Sequence, residues 1–200
     1  MVIKMGNEVV LYVILTLLIL VVLGAFIRYL VMLINRINVS KRNRSNLGES
    51  TRIRLIHQIR EALEYLSKNK IGAIITIEQK ENLDMLRTDG VIIDANISSS
   101  LIISIFNKYC PLHDGAIIIR GSKIYYAATY YKITKKSIDN HYGARHRAAL
   151  GISEISDSIT LVVSEETGGI SIAKKGVLST IENSQVQEVL VNIFKEDQTE

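Results

Sequence analysis

Three short polar stretches of this chain combine residue types that could do chemistry. The first, Pro111–Ala116, reads PLHDGA and stands directly before an apolar run. Its Asp114 could bind a divalent cation, because Mg²⁺ in nucleotide sites takes one or two carboxylates plus phosphate oxygens. Gly115 would let a ligand approach the backbone closely. Asp-Gly is also an ordinary turn sequence, so residue type alone leaves a purely structural turn open.

The second stretch, Gly143–Gly151, places two arginines and a histidine at the expected start of a helix. Helix starts attract anions through their exposed amides and the helix dipole. The planar arginine side chain also matches the geometry of phosphate oxygens. This stretch therefore favours a phosphate site, with a solvated basic turn or a pair of surface ion bridges as the alternative.

The third stretch, Ser164–Gly169, contains two carboxylates, two hydroxyls and two glycines. Such a loop could supply a metal ligand or contacts to a ribose, although Glu and Gly are also common in hairpin loops. The sequence contains no Walker-type phosphate loop, no paired-cysteine metal site and no Gly-x-Ser-x-Gly nucleophile turn. These common signatures therefore do not account for the chain.

Hydrophobic periodicity predicts the elements that must position these stretches. Apolar residues recur at three- and four-residue steps in four segments, which predicts helices over 52–69, 98–108, 144–155 and 184–194. Ser50 or Thr51 could cap the first of them. Runs rich in β-branched residues predict strands over 71–77, 116–119, 124–131, 159–163 and 170–173. The sum is an α/β domain with a central mixed β-sheet flanked by helices.

The N-terminal residues predict a membrane anchor. No charged residue occurs from Val9 to Ile27, and a further apolar run follows Arg28. This length is sufficient to cross a hydrocarbon core of about 30 Å as a helix. A cleaved signal peptide is the alternative, but its apolar core is usually about 7 to 15 residues long. Four basic residues lie between positions 36 and 44, which predicts that the chain continues into the cytoplasm.

These features predict three parts: residues 1–36 with one transmembrane helix over about 9–34, a basic juxtamembrane linker over 37–50, and a cytoplasmic domain over 51–200. A chain of 200 residues leaves no room for a second enzymatic domain. The net charge is only +4, and much of the basic excess lies where anionic lipids would attract it. We therefore expect a single-pass protein of the cell membrane, with the lipid bilayer as a partner and no nucleic-acid partner.

Taken together, in this order and spacing, the three stretches resemble the signature of the diadenylate cyclase family, or DAC domain. Further blocks extend the resemblance over most of 71–176, namely 72–78, 93–99, 112–116, 145–154 and 162–168. The resemblance implies the diadenylate cyclase fold and the condensation of two ATP into cyclic di-AMP with release of two pyrophosphates. Since one domain of this family holds one ATP, it also implies a face-to-face homodimer.

The resemblance implies roles for individual residues as well. Asp114 would hold a divalent metal, Mg²⁺ or Mn²⁺, and help to prepare the attacking hydroxyl. His113 would assist in the metal site or make a structural hydrogen bond. The Arg-His-Arg motif, Arg145, His146 and Arg147, completes the catalytic set and would neutralise charge on the triphosphate. Tyr130 is expected against adenine, and the full set of ATP contacts is Gly115, Ala116, Tyr130, Ala144, Ser164, Glu166 and Thr167.

Two departures from the family pattern bear on these roles. Ala144 replaces the threonine usual before Arg-His-Arg, which removes a hydroxyl that could bond a phosphate oxygen. Residues 132–136 lack the proline usual in the family, which bears on nucleotide selectivity. The alternatives to an enzyme are therefore a membrane-tethered nucleotide-binding module without catalysis and a purely structural anchor. The single span distinguishes the chain from family members that have several spans or DNA-sensing regions. Regulation by a membrane or cytosolic protein is left open.

Overall fold

The computed structural model of the protein describes residues 12, 14–32, 48–139 and 141–196. The chain divides into two compact units, Met1–Arg42 and Asn43–Glu200. In the first unit, helix α1 spans Ile14–Met32, and by length and composition it is a candidate membrane-spanning helix. Its 19 residues correspond to about 28 Å of helix. The predicted linker lies outside the described residues as far as position 47.

The described residues of the second unit form an α/β domain. Its helices are α2 (Glu49–Lys68), α3 (Ser99–Phe106), α4 (Ala144–Ile155) and α5 (Val186–Glu196), with a 3₁₀ turn over Asn183–Gln185. Its strands are β1 (Ala73–Ile77), β2 (Arg87–Thr88), β3 (Val91–Asn96), β4 (Ala116–Arg120), β5 (Lys123–Tyr131), β6 (Ile159–Val163), β7 (Ile170–Lys174) and β8 (Val177–Ile181). The predicted α/β fold is confirmed.

All eight strands belong to one mixed sheet, in the order β2-β5-β4-β1-β6-β7-β8, with β3 also paired to β5. Strands β1 and β4 are parallel, with Ile75 opposite Ile117, whereas β6 runs antiparallel to β1. The start of β1, the start of β4 and the end of β6 therefore lie at one edge of the sheet. This topology brings Gly72, Gly115 and Ser164 to the same edge, although they are far apart in sequence.

Helices cover both faces of the sheet. Because successive side chains of a strand point to opposite faces, Ile75 and Ile117 pack into the core that contains α2, α3 and α5. Their neighbours Ile74 and Ile118 pack into a second cluster with Ile152 of α4. Packing on both faces holds β1 and β4 in fixed register, which fixes the edge where the polar stretches meet.

The predicted start of α2 needs one correction. The helix begins at Glu49, its N-cap is Gly48, and no side chain makes a capping hydrogen bond. Ser50 and Thr51 lie inside the first turn, so the predicted cap is wrong. Glu49 explains the earlier start, because an acidic residue in the first turn interacts favourably with the positive end of the helix dipole.

Candidate active site

The turn before β4 presents Asp114 to solvent. Gly115 has φ +102°, and a Cβ at this position would lie 2.7 Å from the carbonyl oxygen of Thr129. Only glycine fits here without movement of the backbone. Strand β5 bulges at the same place, where Ala128 has φ +52° and the pairing register with β4 shifts. The hydroxyl of Tyr130 then lies 3.3 Å from Asp114 Oδ2 and donates to it.

The surroundings of Tyr130 keep its hydroxyl protonated. Desolvation raises the pKa of Tyr130 above its ordinary value, and the nearby carboxylates of Asp114 and Asp89 raise it further. Each carboxylate has the same effect because a phenolate would be repelled by it. The phenol therefore remains a hydrogen-bond donor to Asp114 throughout the neutral pH range.

The imidazole of His113 is oriented by the turn that it follows. Its Nδ1 lies 2.7 Å from the carbonyl oxygen of Cys110, and its amide nitrogen lies 3.1 Å from the same oxygen. A carbonyl can only accept, so Nδ1 is the donor of this hydrogen bond. With Nδ1 engaged by the backbone, Nε2 is the ring nitrogen through which a neutral imidazole at this position would bind a metal ion.

The donor set near Asp114 suits a cation that arrives with a nucleotide. Among the described residues, no group of three or more His, Cys, Asp or Glu side chains is placed to hold a metal ion. The exposed carboxylate of Asp114 and Nε2 of His113 are hard and borderline donors that fit Mg²⁺ or Mn²⁺. Such an ion would take its remaining ligands from phosphate oxygens and water, as Mg²⁺ commonly does.

Arg145, in the first turn of α4, connects the start of β1 with the third polar stretch. Its Nη1 donates a 2.8 Å hydrogen bond to Glu165 Oε2. Its guanidinium also covers Gly72, where a Cβ would lie 2.8 Å from Cζ. The Arg145 side chain is 26% exposed and that of Glu165 is 61% exposed. The guanidinium is therefore positioned from two sides but still accessible to a ligand.

Arg145 lines three neighbouring concave surfaces. The Asp114 cleft has a volume of about 170 Å³ and is lined by Asp114, Gly115, Tyr130, Ile133, Ala144 and Arg145, among others. The Lys70 cleft has a volume of about 480 Å³ and is lined by Lys70, Gly72, Lys108, His113, Arg145 and Glu165, among others. The Glu166 pocket has a volume of about 80 Å³ and includes Ala144, Arg145, His146, Ser164 and Glu166.

Most of the predicted site residues line these surfaces, and three do not. Ala116 is fully buried as the first residue of β4. Arg147 is half-buried, and its amide and carbonyl bond to Gly143 and Thr134. Thr167 uses its hydroxyl to accept a 3.0 Å hydrogen bond from the amide of Gly169. Thr167 therefore shapes the loop after β6.

His146 is turned towards the protein interior. It is 6% exposed, and its ring centroid lies 5.0 Å from that of Tyr142. Desolvation lowers the pKa of His146, and His141 and Arg145 lower it further, while Glu166 acts in the opposite direction. The imidazole is therefore neutral at pH 7, and it offers a hydrogen-bonding group rather than positive charge.

The loop after β6 is held by its own hydroxyls and by α2. The amide of Thr167 donates to the hydroxyl of Ser164 at 3.3 Å. The carbonyl of Gly168 accepts a 2.6 Å hydrogen bond from the buried hydroxyl of Ser67. Gly168 has φ +77° and lies so close to α2 that a Cβ would be 2.4 Å from the Ser67 carbonyl oxygen. Glu165 and Glu166 stay exposed at the tip of the loop.

Comparison with known proteins identifies the family to which these features belong. A family model described as DAC, DisA bacterial checkpoint controller nucleotide-binding, matches residues 60–178. This range contains all three polar stretches and spans β1 to β7. The chain belongs to the DAC family. The resemblance inferred from the sequence is therefore confirmed.

The alignments with relatives in the DAC family cover different shares of the two chains compared. A diadenylate cyclase of Listeria monocytogenes is 48% identical over 125 residues, which are 62% of this chain and 46% of that protein. A diadenylate cyclase of Mycoplasma genitalium is 41% identical over 148 residues, 74% of this chain and 72% of its own length. The match to a crystal structure of a DacA double mutant from Staphylococcus aureus has 43% sequence identity and a TM-score of 0.68. It covers 70% of this chain and 95% of the Staphylococcus chain. The chain thus spans about half the length of the Listeria relative.

Two residues of this DAC site were not predicted to belong to it. Gly72 supports the guanidinium of Arg145, and Glu165 accepts its hydrogen bond. A glycine at the start of a β-prone run often marks a close approach of another group, so Gly72 had a detectable signal. Glu165 had none, because two adjacent glutamates in a loop do not indicate which of them faces an arginine.

Proposed function

We propose that this chain is a diadenylate cyclase that joins two ATP molecules into cyclic di-AMP and releases two pyrophosphates. The observation that carries the proposal is that the exposed carboxylate of Asp114 and the guanidinium of Arg145 line one cleft of about 170 Å³. Relatives that are 41% and 48% identical are diadenylate cyclases, which supports the same activity here. A carboxylate beside an arginine suits a reaction at a phosphate group.

The Asp114 cleft is suited to a nucleotide. The aromatic ring of Tyr130 and the apolar side chain of Ile133 form part of its wall, and a purine can stack on or pack against both. Gly115 leaves the backbone accessible to a ligand. Ala144 is the first residue of α4, so the N-terminal end of this helix lies beside the cleft. The amide groups and the helix dipole attract a phosphate to this end of α4.

The reaction forms two identical bonds. The 3′-oxygen of one ATP bonds to the α-phosphorus of the other, the bond from that phosphorus to the bridging oxygen breaks, and pyrophosphate leaves with the bonding electron pair. Asp114 orients the attacking hydroxyl and accepts its proton or passes it to water. Arg145 stabilises negative charge as it develops on the leaving group. A bound Mg²⁺ or Mn²⁺, held by Asp114 with His113, would supply further charge neutralisation.

A homodimer is part of the proposal because the product contains two nucleotides. The Asp114 cleft is open to solvent, so a second copy of the domain could bring its nucleotide against the first. Two reactants held in line gain a large rate advantage over free encounter. Anchoring both copies through α1 would raise their effective concentration in the membrane plane.

We also propose that the chain is a single-pass protein of the cell membrane with its domain in the cytoplasm. Helix α1 has the length and composition of a membrane span. Four basic residues follow it between positions 36 and 44, as is typical of the cytoplasmic side. The cytoplasm also supplies ATP. Regulation by a membrane or cytosolic protein stays a prediction.

The direct test is synthesis of the product. The full chain in detergent micelles is incubated with ATP and either Mg²⁺ or Mn²⁺, and cyclic di-AMP is measured by mass spectrometry beside Asp114→Asn. Asparagine keeps the shape of the side chain and an acceptor for Tyr130, but it removes the charge. We expect product from the parent and none from the variant. No product from a folded parent that binds ATP would contradict the proposal and favour a nucleotide-binding module.

A further inference from the structure

The strap, residues 132–136, follows β5 and lies against α4 without forming a helix or strand of its own. The amide of Thr134 donates a 3.0 Å hydrogen bond to the carbonyl of Arg147 in α4. A Cβ at Gly151, one turn further along α4, would collide with the carbonyl oxygen of Lys132. The strap contains no proline, so no ring fixes its backbone and its course depends on such contacts with the helix.

The carboxylate of Glu154, in the last turn of α4, makes side-chain contacts that hold the strap. Its Oε1 accepts a 2.8 Å hydrogen bond from the hydroxyl of Thr134 and lies 3.3 Å from the ammonium of Lys136. The Thr134 hydroxyl also accepts a 3.0 Å hydrogen bond from the amide of Lys136. Thr134 is 7% exposed, so its hydroxyl depends on Glu154 as the acceptor for its hydrogen. The exposed side chain of Lys136 contributes less, because its ion pair is screened by solvent.

Ile133 is the residue of the strap that lines the Asp114 cleft. It is 56% exposed, which leaves an apolar surface that would gain from burial under a bound base. Its neighbour Thr134 is bonded to α4 through both its amide and its hydroxyl. The helix therefore determines where Ile133 lies, and a loop already held in place loses less entropy when a ligand binds.

Helix α4 thus acts on the Asp114 cleft at two places. Ala144 and Arg145 of its first turn line the cleft themselves. Glu154 follows ten residues after Ala144, about 15 Å further along the helix axis, and contacts the strap. One rigid helix therefore fixes both the end that attracts phosphate and the segment that carries Ile133.

We propose that Glu154 is a positioning residue for recognition of the nucleotide base. It holds Thr134 on α4 and thereby keeps Ile133 in the wall against which the base packs. This inference rests on the proposed function, which supplies the nucleotide. Glu154 does not line the cleft, so it acts on the ligand only through the strap.

The test compares a ligand that has a base with one that has none. Isothermal titration calorimetry measures AMP and inorganic triphosphate, each with Mg²⁺, on the full chain in detergent micelles. We expect Glu154→Ala to bind AMP roughly five- to ten-fold more weakly, as is typical for loss of a hydrogen bond to a charged group. The affinity for triphosphate, which lacks the base, should change less than about two-fold.

Two further variants distinguish the hydrogen bond from the charge. Thr134→Val removes only the hydroxyl, so it should weaken AMP as Glu154→Ala does. The double variant should lose no more than either single variant, because both substitutions remove the same interaction. Glu154→Gln keeps an acceptor for Thr134, and its AMP affinity should stay within about three-fold of the parent.

Glu188→Ala is the control for loss of a carboxylate, because Glu188 is exposed in the first turn of α5 and lines none of the three concave surfaces. Unchanged AMP affinity in Glu154→Ala would overturn the inference, as would equal weakening of AMP and triphosphate. If Glu154→Ala does not fold, Thr134→Val gives the same decision. Neither ligand requires turnover, so a parent that makes no cyclic di-AMP but loses AMP affinity in these variants contradicts only the proposed function.

Discussion

The guanidinium of Arg145 lies on Gly72, and a Cβ on Gly72 would be 2.8 Å from Cζ of the arginine and 3.0 Å from Nε. The two residues are 73 positions apart, and the sheet brings them together by placing β1 at the centre beside β4 and β6. Glu165 accepts the hydrogen bond from Nη1 on the other side. The absence of a side chain at position 72 therefore determines where the positive charge of the site is located.

Gly72→Ala should lower the rate of cyclic di-AMP synthesis by about ten-fold or more, because displacing a positioned catalytic group by about 1 Å is enough for such a loss. Stability should change little, since the methyl group meets the flexible end of a side chain. The rate and the unfolding midpoint are measured together. Gly48→Ala is the control, because nothing lies within 4 Å of a Cβ there. An unchanged rate in Gly72→Ala would show that Arg145 is not positioned by Gly72.

The pH dependence of stability should report on His146. Desolvation and the charges of His141 and Arg145 lower its pKa below about 6.5, the value in an unfolded chain. The unfolded chain then binds the proton more readily, so stability is complete above about pH 6.5 and falls as the pH decreases below it. The loss is up to about 1.4 kcal/mol per pH unit in this window.

Urea unfolding at pH 7.5 and pH 5.5, followed by circular dichroism, checks this prediction. The parent should lose more stability between these pH values than His146→Gln, which has no titrating group at this position. Equal losses would mean that the buried imidazole is not the source. The variant is expected to be less stable than the parent at pH 7.5, so the comparison is made on the difference between the two pH values.

Glu78 and Arg120 form a buried ion pair where β1 and β4 end. The candidate site lies at the other end of the sheet, where these two strands begin. Nε and Nη2 of Arg120 each lie 2.8 Å from a different oxygen of Glu78, whose side chain is 0% exposed. Arg120→Met should destabilise the domain by about 3 to 5 kcal/mol, because a buried carboxylate loses its countercharge. Urea unfolding of the full chain in micelles measures the change.

The double variant Glu78→Gln with Arg120→Met is the control for this ion pair. It removes both charges, so it should recover part of the stability lost in Arg120→Met. A double variant as unstable as Arg120→Met would indicate that the other contacts of the arginine matter more than the charge of Glu78; these are its 2.8 Å ion pair with Asp84 and its packing against Tyr125, with Cζ 4.3 Å from the ring centroid. Either variant should keep its activity at temperatures where it is folded, because neither residue lines the Asp114 or Lys70 cleft.

Elements with strong local patterns were predictable from the sequence, and elements defined by tertiary contacts were not. The prediction for α4, 144–155, matches the structure at both ends because its apolar spacing is regular. Strands β3 and β8 were missed because they are largely exposed and show no clear alternation, with Asp94 in a left-handed bulge of β3. Strand β2 has only two residues and exists through its pairing with β5.

The candidate site shows the same division. Asp114 and Arg145 were predicted because each stands in a recognisable polar stretch, and the structure brings both to one cleft. Lys70 and Lys108 stand in segments that look like an ordinary helix end and a solvated turn. Their common cleft results from the packing of α2 beside α3 and from the start of β1. Such a juxtaposition of distant segments leaves no local pattern to read.

Ala144 is the first residue of α4, is exposed, and lines both the Asp114 cleft and the Glu166 pocket. A hydroxyl here would lie where a phosphate is expected, so Ala144→Thr should lower the KM for ATP by roughly two- to ten-fold through one added hydrogen bond. Ala144→Val is the matched control, because valine has nearly the same shape without the hydroxyl. A lower KM in both variants would mean that filled volume, and not a hydrogen bond to phosphate, strengthens binding. A KM lowered by threonine alone would show that the phosphate lies against the start of α4, and that alanine at this position weakens substrate binding.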